Sequence, residues 1–476
     1  MGTHAGDPPK TLAKAMGLRD VVLFFVTSGT NLQWVASAAV AGPSAVTVWL
    51  IGILVMFVPL AFCVIELSSR YPEEGGMYVW SKHAFGDFAG FMNGWTYWTS
   101  NLPYFPGVLY FAAANALYVL GEDQRRALSE SSAYFVAAAL AGLALGTIVN
   151  VAGLGVGKWL TNAGAVARWG ATAVLIVIGI AAYARFGSAS EWSLASLRPG
   201  LGFRDIIFWS SIAFALTGPE AASFMGDEIR DARRTIPRGL FLAAPLIALI
   251  YILGTVSVLV ALPREEVSGL QGIMQAVARA SDKIGAPGLA PLAAVLIAVT
   301  ALGSVGAWLG AVARIPFVAG IDHFLPAGFG RLHPRWGSPW VALLTQSAVT
   351  VVFVFLGQAG TSVKGAYDVL VSMTFIATFI PFLLVFSALI RVQSLPAGAH
   401  TIRIPGGRPV AILIGALGLT TTAVSIVLAV FPAADEPRKA LAVAKIVGLT
   451  AALLAAGVAV YFSGRRRAAR EGRPAA

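Results

Sequence analysis

The chain has 476 residues, of which 57% are hydrophobic and only 12% are charged, and its net charge is +11. Soluble domains carry about 25% charged residues, so this composition lacks the polar surface that a large water-soluble protein needs. The positive charges lie in short segments between apolar runs, which is typical of membrane topology signals and excludes a nucleic-acid-binding surface.

Apolar runs that are long enough to cross a bilayer recur along the whole chain. A hydrocarbon core about 30 Å thick requires roughly 20 helical residues. The hydropathy pattern therefore predicts an all-α membrane protein with about twelve transmembrane helices. Their predicted positions are residues 19–41, 45–69, 87–120, 131–152, 160–184, 204–225, 239–262, 287–319, 340–357, 366–390, 409–431 and 441–462.

Lys and Arg are distributed unequally between alternate loops. The set that includes both tails holds 21 of them, and the opposite set holds 12. Cytoplasmic loops carry the excess of positive charge, so we expect both termini in the cytoplasm. The sequence thus predicts a multi-pass protein of the cell (inner) membrane, with a cytoplasmic N-tail (residues 1–18) and a basic cytoplasmic C-tail (residues 463–476).

No motif indicates an enzyme, a cofactor or a metal site. The single cysteine, Cys63, lies within an apolar run, and none of the five histidines pairs with another at metal-ligand spacing. A His-Glu-x-x-His motif is absent from the sequence. The expected partners are a small-molecule substrate and membrane lipids, not nucleic acid, and a homodimer is left open.

Two predicted spans carry helix breakers in mid-run. The first contains Thr-Ser-Gly-Thr-Asn at residues 27–31, and the sixth contains Thr-Gly-Pro-Glu at residues 217–220. Proline removes a backbone donor, and glycine costs about 1 kcal/mol within a helix, so both favour unwinding. Interrupted helices at matching positions of two halves indicate a transporter site. Alternatively, Gly29 and Gly218 only allow close helix packing.

The ends of interrupted helices supply the chemistry of such a site. Unwinding at Ser28, Gly29 and Thr30 would expose backbone N–H groups that attract a carboxylate. Unwinding of the sixth span would expose carbonyls that accept hydrogen bonds from an ammonium group. A site that offers both suits a zwitterion such as an amino acid.

Glu220 and Arg168 are the ionisable residues that fall within predicted spans near these breaks. A carboxylate near the bilayer centre costs about 2.5–3.5 kcal/mol, so Glu220 is a candidate for proton binding. The alternative is a neutral structural carboxyl bonded to the freed backbone. Arg168 either compensates a charge, occupies the place of a cation, or packs at the end of its helix.

Ordered motifs resemble those of the amino acid–polyamine–organocation (APC) permeases. They are residues 66–67, 70–72, 75–78, 85–86, 90–91, 214–220, 226–228 and 234–238. Residues 303–308 (Gly-Ser-Val-Gly-Ala-Trp) are similar to the basic amino acid/polyamine antiporter branch, the arginine/agmatine exchangers in particular. The resemblance implies a LeuT-type fold with inverted repeats at 19–184 and 203–390, followed by two helices at 409–462.

The resemblance also implies roles for individual residues. Substrate binding is implied for Thr27, Ser28, Gly29, Thr30, Ser100, Asn101, Phe214, Thr217, Gly218, Trp308 and Ser372. Gating or proton coupling is implied for Tyr97, Phe214, Glu220, Trp308 and Arg168, with Tyr97 and Glu220 as an outer pair. For Phe214 and Trp308, ordinary core packing is the alternative.

Two departures from the family pattern bear on substrate and coupling. Thr27 stands where relatives usually have glycine, which narrows the approach to the backbone. Ala171 stands where some relatives carry a coupling lysine, with Arg168 one turn earlier. Glu220 is the one evident acidic residue in the core, which favours amino acids over polyamines.

The sequence therefore predicts a secondary active transporter of amino acids or related amines that works by alternating access. It would act as an exchanger or as a proton-coupled symporter. A polyamine or organic amine transporter is the first alternative. A non-transporting membrane receptor or sensor with the same fold is the second.

Overall fold

The computed structural model describes residue 12 and residues 14–200, 203–268, 270–358, 363–430 and 439–470. Most of these residues are in helices. The only β pairing in these ranges is an isolated bridge between Met16 and Ile229. The predicted all-α fold is confirmed for the described chain.

The first part of the chain contains ten α-helices. They are α1 (Leu18–Gly29), α2 (Leu32–Ala39), α3 (Ser44–Gly52), α4 (Val58–Arg70), α5 (Met77–Phe85), α6 (Asp87–Asn101), α7 (Tyr104–Ala116), α8 (Glu122–Ser129), α9 (Ser132–Val151) and α10 (Leu154–Phe186). A π-helical turn (Ile53–Phe57) joins α3 to α4, and a 3-10 turn (Leu117–Val119) extends α7.

The second part begins with an interrupted helix. Its helices are α11 (Phe203–Ala215), a 3-10 helix (Ala221–Glu228), α12 (Ala232–Ala261), α13 (Gly272–Ile284), α14 (Leu289–Val312), α15 (Arg314–Ile321), α16 (Trp340–Gln358), α17 (Val363–Val392), α18 (Gly407–Ala429) and α19 (Lys439–Arg470). A further 3-10 turn, Arg264–Glu266, precedes α13.

Nine helical segments of the described chain are long and apolar enough to cross a membrane. They are Leu18–Ala39, Ser44–Arg70, Asp87–Val119, Ser132–Val151, Leu154–Phe186, Ala232–Ala261, Leu289–Ile321, Thr374–Val392 and Gly407–Ala429. Each overlaps a span predicted from hydropathy. The other three predicted spans, near 204–225, 340–357 and 441–462, are not among these nine segments of the described chain, so twelve remains a prediction.

Three short helices lie in segments that hydropathy treats as loops: α5, α8 and α13. They are too short or too polar to register as apolar runs, and α8 has no buried residue. In addition, α12 begins at Ala232 instead of residue 239, because a basic first turn precedes its apolar part. Helical structure therefore extends into several polar segments that hydropathy assigns to loops.

Loops that the charge count assigns to one side of the membrane contact one another. Ala15 donates to the carbonyl of Glu228 (2.9 Å), and Lys158 donates to the carbonyl of Ala15 (2.8 Å). Segments of the opposite set also meet, since Arg185 donates to the carbonyl of Ile284 (3.0 Å). These contacts agree with the predicted alternation of loops.

A close backbone contact in the core joins α10 to α14. A Cβ atom added to Gly164 would lie 2.6 Å from the Cα of Gly303, and the reverse distance is 2.5 Å. Real Cβ atoms essentially never approach so closely. The two glycines therefore let the backbones of α10 and α14 touch, which holds α10 against the centre of the protein.

We expect Gly164→Ala to destabilise the protein by about 1–3 kcal/mol, because overpacking a close contact forces the helices apart. The measurement is the melting temperature of the detergent-solubilised protein. Gly155→Ala is the matched control on the same helix, since a Cβ there meets nothing within 4 Å. A Gly164→Ala variant that melts no lower than Gly155→Ala would contradict the packing argument.

Candidate functional site

The two predicted helix breaks meet at the centre of the protein. The first separates α1 from α2 at Thr30 and Asn31, which both have extended backbone angles. The second separates α11 from the 3-10 helix, and Gly218 there has a φ of +125°. A Cβ atom on Gly218 would lie 2.6 Å from the carbonyl oxygen of Ser28, so only glycine permits this contact.

A cavity of about 30 Å³ lies beside the two breaks. It is lined by Ser28, Asn31, Trp34, Tyr97, Asn101, Tyr104, Phe214, Ala215, Thr217, Tyr251, Trp308 and Thr378. One water requires roughly 10–15 Å³ of such space, so the cavity accommodates water but not an amino acid. In this conformation the cavity is too small for such a solute and must expand to admit it.

Aromatic rings enclose the cavity. The ring of Phe214 lies 5.4 Å from that of Trp34 and 4.7 Å from that of Phe375. The ring of Trp308 lies 6.3 Å from those of Tyr97 and Tyr104. Phe214 and Trp308, the two predicted gating aromatics, therefore line the same cavity from α11 and α14.

The side chain of Glu220 bonds back to the backbone of the second break. One carboxylate oxygen accepts a hydrogen bond from the hydroxyl of Tyr97 (2.5 Å), and the other accepts from the backbone N–H of Gly218 (2.8 Å). The side chain is fully buried and does not line the cavity. The structure therefore brings Tyr97 and Glu220 into contact, and their role as an outer gating pair stays a prediction.

Arg168 binds the interrupted end of α1. Its guanidinium is fully buried and donates to the carbonyls of Val26 (3.0 Å), Thr27 (2.8 Å) and Thr30. It also donates to the hydroxyls of Thr30 and Ser304. Carbonyls at a helix C-terminus carry partial negative charge, which a cation stabilises. Among the three roles considered for Arg168, these contacts favour occupation of a cation's place over compensation of a carboxylate.

Tyr251 on α12 joins the two breaks and was not predicted from the sequence. Its hydroxyl accepts a hydrogen bond from the backbone N–H of Asn31 (3.1 Å) and donates to the carbonyl of Ala215 (2.7 Å). Its ring stacks on Trp49 at 4.3 Å. The sequence signal was a tyrosine within an apolar span, whose hydroxyl needs a partner when it is buried.

Asn31 acts as the cap of α2. Its side-chain oxygen accepts from the N–H of Gln33 (3.3 Å), and its amide nitrogen donates to the hydroxyl of Tyr104 (2.9 Å). It belongs to the predicted break but was not predicted as a binding residue. Trp34, Tyr104 and Thr378 also line the cavity without having been predicted, because nothing in their local sequence distinguishes them from core residues.

The predicted site residues divide into two groups by position. Those that line the cavity are Ser28, Tyr97, Asn101, Phe214, Thr217 and Trp308, and those that do not are Thr27, Gly29, Thr30, Ser100, Arg168, Gly218 and Glu220. The hydroxyl of Thr27 donates to the carbonyls of Leu23 (2.9 Å) and Thr161 (3.3 Å) instead. Ser372 belongs to α17, but its side chain lies outside the described residues.

The described part of the chain contains no group of three or more His, Cys, Asp or Glu side chains that could hold a metal ion. The lining residues offer hydroxyl, amide, indole N–H and backbone groups. Such groups can bind a small polar solute and orient it. They include no carboxylate that faces the cavity directly.

Comparison with known proteins identifies the family. The chain is 27% identical to an uncharacterized transporter of Legionella pneumophila over 439 residues, which cover 90% of this chain and 91% of that protein. It is 31% identical to an uncharacterized transporter of Mycobacterium tuberculosis, with 76% and 77% of the chains covered. It is 25% identical to a probable agmatine/putrescine antiporter of Lactococcus lactis, with 67% of each chain covered. The family model described as amino acid permease matches residues 11–452. The chain therefore belongs to the amino acid permease family.

Proposed function

We propose that the protein is a secondary active transporter of amino acids, which it carries by alternating access around the central cavity. The observation that carries this proposal is the contact between two interrupted helices beside a small cavity of polar and aromatic side chains. Irregular backbone at membrane depth occurs where it lines a cavity, and transporters use it to bind solutes. Membership of the amino acid permease family supports the same function.

The proposed architecture has two inverted repeats, residues 19–184 and 203–390, followed by two further helices at 409–462. Support comes from the position of the two breaks, each in the first span of its repeat. We further propose that both termini are cytoplasmic, as the excess of Lys and Arg in their loops predicts. The side on which Ala15 meets Glu228 would then face the cytoplasm.

In this proposal several side chains that line the cavity contact the solute. Ser28 and Asn31 offer polar groups at the first break, and Thr217 offers a hydroxyl at the second. Phe214 and Trp308 cover the solute with their rings and must move when it enters. Because the cavity holds only a few waters, binding has to be coupled to a change of conformation.

A transporter of organic amines is the second candidate. The Lactococcus lactis relative is named an agmatine/putrescine antiporter, which favours this possibility. However, no carboxylate lines the cavity, and both oxygens of Glu220 already accept hydrogen bonds. A dication would therefore find no free counter-charge in this conformation, which favours a zwitterion.

Substrate class can be tested with matched compounds on the purified protein. We expect an α-amino acid to raise the melting temperature and to be taken up by proteoliposomes. The matching amine without a carboxylate, and the matching acid without an amine, should neither raise the melting temperature nor be taken up. Each lacks one of the two charged groups that the site is proposed to bind. Stabilisation and uptake with the amine alone would establish the organic amine transporter. Binding without any uptake would favour a receptor.

Sodium independence follows from the position of Arg168. We expect uptake to be unchanged when sodium is replaced by potassium, because a permanently charged guanidinium already binds the carbonyls of α1. Arg168→Ala should abolish uptake and lower the melting temperature, since each unpaired buried carbonyl costs about 1–3 kcal/mol. Arg185→Ala, an exposed position on the same helix, is the control. Stimulation of wild-type uptake by sodium would refute this role.

Glu220→Gln should flatten the pH dependence of uptake and leave the half-saturating substrate concentration nearly unchanged. Glutamine can still accept from Gly218, and its amide can donate to Tyr97 once that hydroxyl rotates, so the fold should survive. Tyr97→Phe, which keeps the titratable carboxyl, should retain a pH-dependent profile. Equal pH profiles for wild type and Glu220→Gln would exclude proton coupling through Glu220.

A further inference from the structure

A second group of buried charges lies at the C-terminal end of the 3-10 helix, whereas the cavity lies near the N-terminal end of that helix. Arg314 on α15 is fully buried and donates to both carboxylate oxygens of Glu228, at 2.8 Å from Nε and 3.0 Å from Nη2. A bidentate pair of this kind satisfies both partners and fixes their geometry. Arg314 and Glu228 therefore neutralise each other.

Glu74 lies beside this pair, and only one of its two carboxylate oxygens accepts a hydrogen bond. Only 5% of the residue is exposed. One carboxylate oxygen accepts from the backbone N–H of Asp227 (3.0 Å). The other is buried, accepts no hydrogen bond, and lies 3.6 Å from Nε of Arg314. With all three side chains ionised, the group carries one uncompensated negative charge.

Burial raises the pKa of Glu74 well above its usual range, and the adjacent carboxylate of Glu228 raises it further. Arg314 and the hydrogen bond from Asp227 act in the opposite direction but do not outweigh burial. The remaining charged groups nearby are Asp227 itself and the exposed Glu73, while Lys14 faces Asp227. The closed arrangement therefore favours a proton on Glu74.

The burial of Glu74 depends on a contact between two segments. The loop at residues 71–76 packs so closely on the 3-10 helix that a Cβ atom on Gly226 would overlap the carbonyl oxygen of Pro72. The backbone N–H of Gly75 donates to the carbonyl of Phe224 (3.0 Å). The N-terminal segment covers the same region through the bond from Ala15 to Glu228. Separation of the loop from the helix would hydrate Glu74.

The 3-10 helix links this contact to the central cavity. Glu220 precedes its first residue and binds Tyr97, while Glu228 is its last residue and binds Arg314. A displacement of the helix during alternating access would break both contacts. The charge group therefore lies at the face of the protein where Ala15 meets Glu228, and such a displacement would open that face.

We propose that Glu74 is a proton-binding residue of the transport cycle, separate from Glu220, which takes up a proton when this face closes and releases it when the face opens. This inference rests on the proposed alternating-access function. The closed form binds one proton more than the open form. Closure is therefore favoured at low pH and is lost as the pH rises through the pKa that Glu74 has in the closed form.

Opening can be measured without any substrate. Cys63 is the only native cysteine, so Cys63→Ala with Ser223→Cys carries a single thiol at the interface between the loop and the 3-10 helix. Ser223 is buried, and only an opened face would admit a maleimide. The alkylation rate is divided by the rate for the same protein unfolded at the same pH, which removes the intrinsic titration of the thiol.

We expect the normalised rate at about pH 8 to exceed the rate at about pH 5 by about tenfold, because loss of the proton from Glu74 favours opening. Glu74→Gln mimics the protonated side chain and should keep the rate low at every pH. Glu73→Gln is the matched control, because Glu73 is adjacent but exposed, and it should behave like the parent protein.

Two results would overturn the proposal: a parent protein whose normalised rate does not vary with pH, or a Glu74→Gln variant that keeps the parent's pH dependence. The second result would assign the titration to another group, such as Glu220. Size-exclusion profiles and melting temperatures verify that each variant is folded. Because no substrate is used, a wrong assignment of the solute leaves this test unaffected.

Discussion

Backbone groups that are freed by a helix break must find partners inside the protein, because lipid offers none. The centre of this protein is organised around that requirement. Arg168 binds the carbonyls of α1, Tyr251 bonds to both breaks, and Glu220 accepts from the N–H of Gly218. Each of these polar side chains is itself buried, so each also needs the broken backbone as its partner.

Much of the fold follows from the sequence alone. Run length locates the spans, and the position of glycine and proline locates both breaks, since these are properties of short segments. Hydropathy does not find α5, α8 or α13, because these helices of 8 to 13 residues are too short or too polar to form long apolar runs. The number of spans likewise depends on interrupted or short segments, such as α11, that fall below the length criterion.

Less of the site than of the fold can be predicted from the sequence. Ser28 and Thr217 are predicted because they belong to the breaks. Tyr251 and Trp34 are not, since their role arises from distant segments that meet only in the folded chain. The contacts of Arg168 are another example, because its reach of several ångströms allows it to bind α1 although Ala171 occupies the expected position.

The bridging hydroxyl of Tyr251 has a mechanical consequence. It connects Asn31 to Ala215, while Gly218 lies against Ser28, so the two interrupted segments are fastened at two separate points. In the proposed transport cycle, these two connections would make the segments one rigid unit with α12 near the cavity. Access to the cavity would then come from sliding of the surrounding helices against this unit. The flexible joints of such a motion would lie at the outer ends of the broken helices, away from the solute.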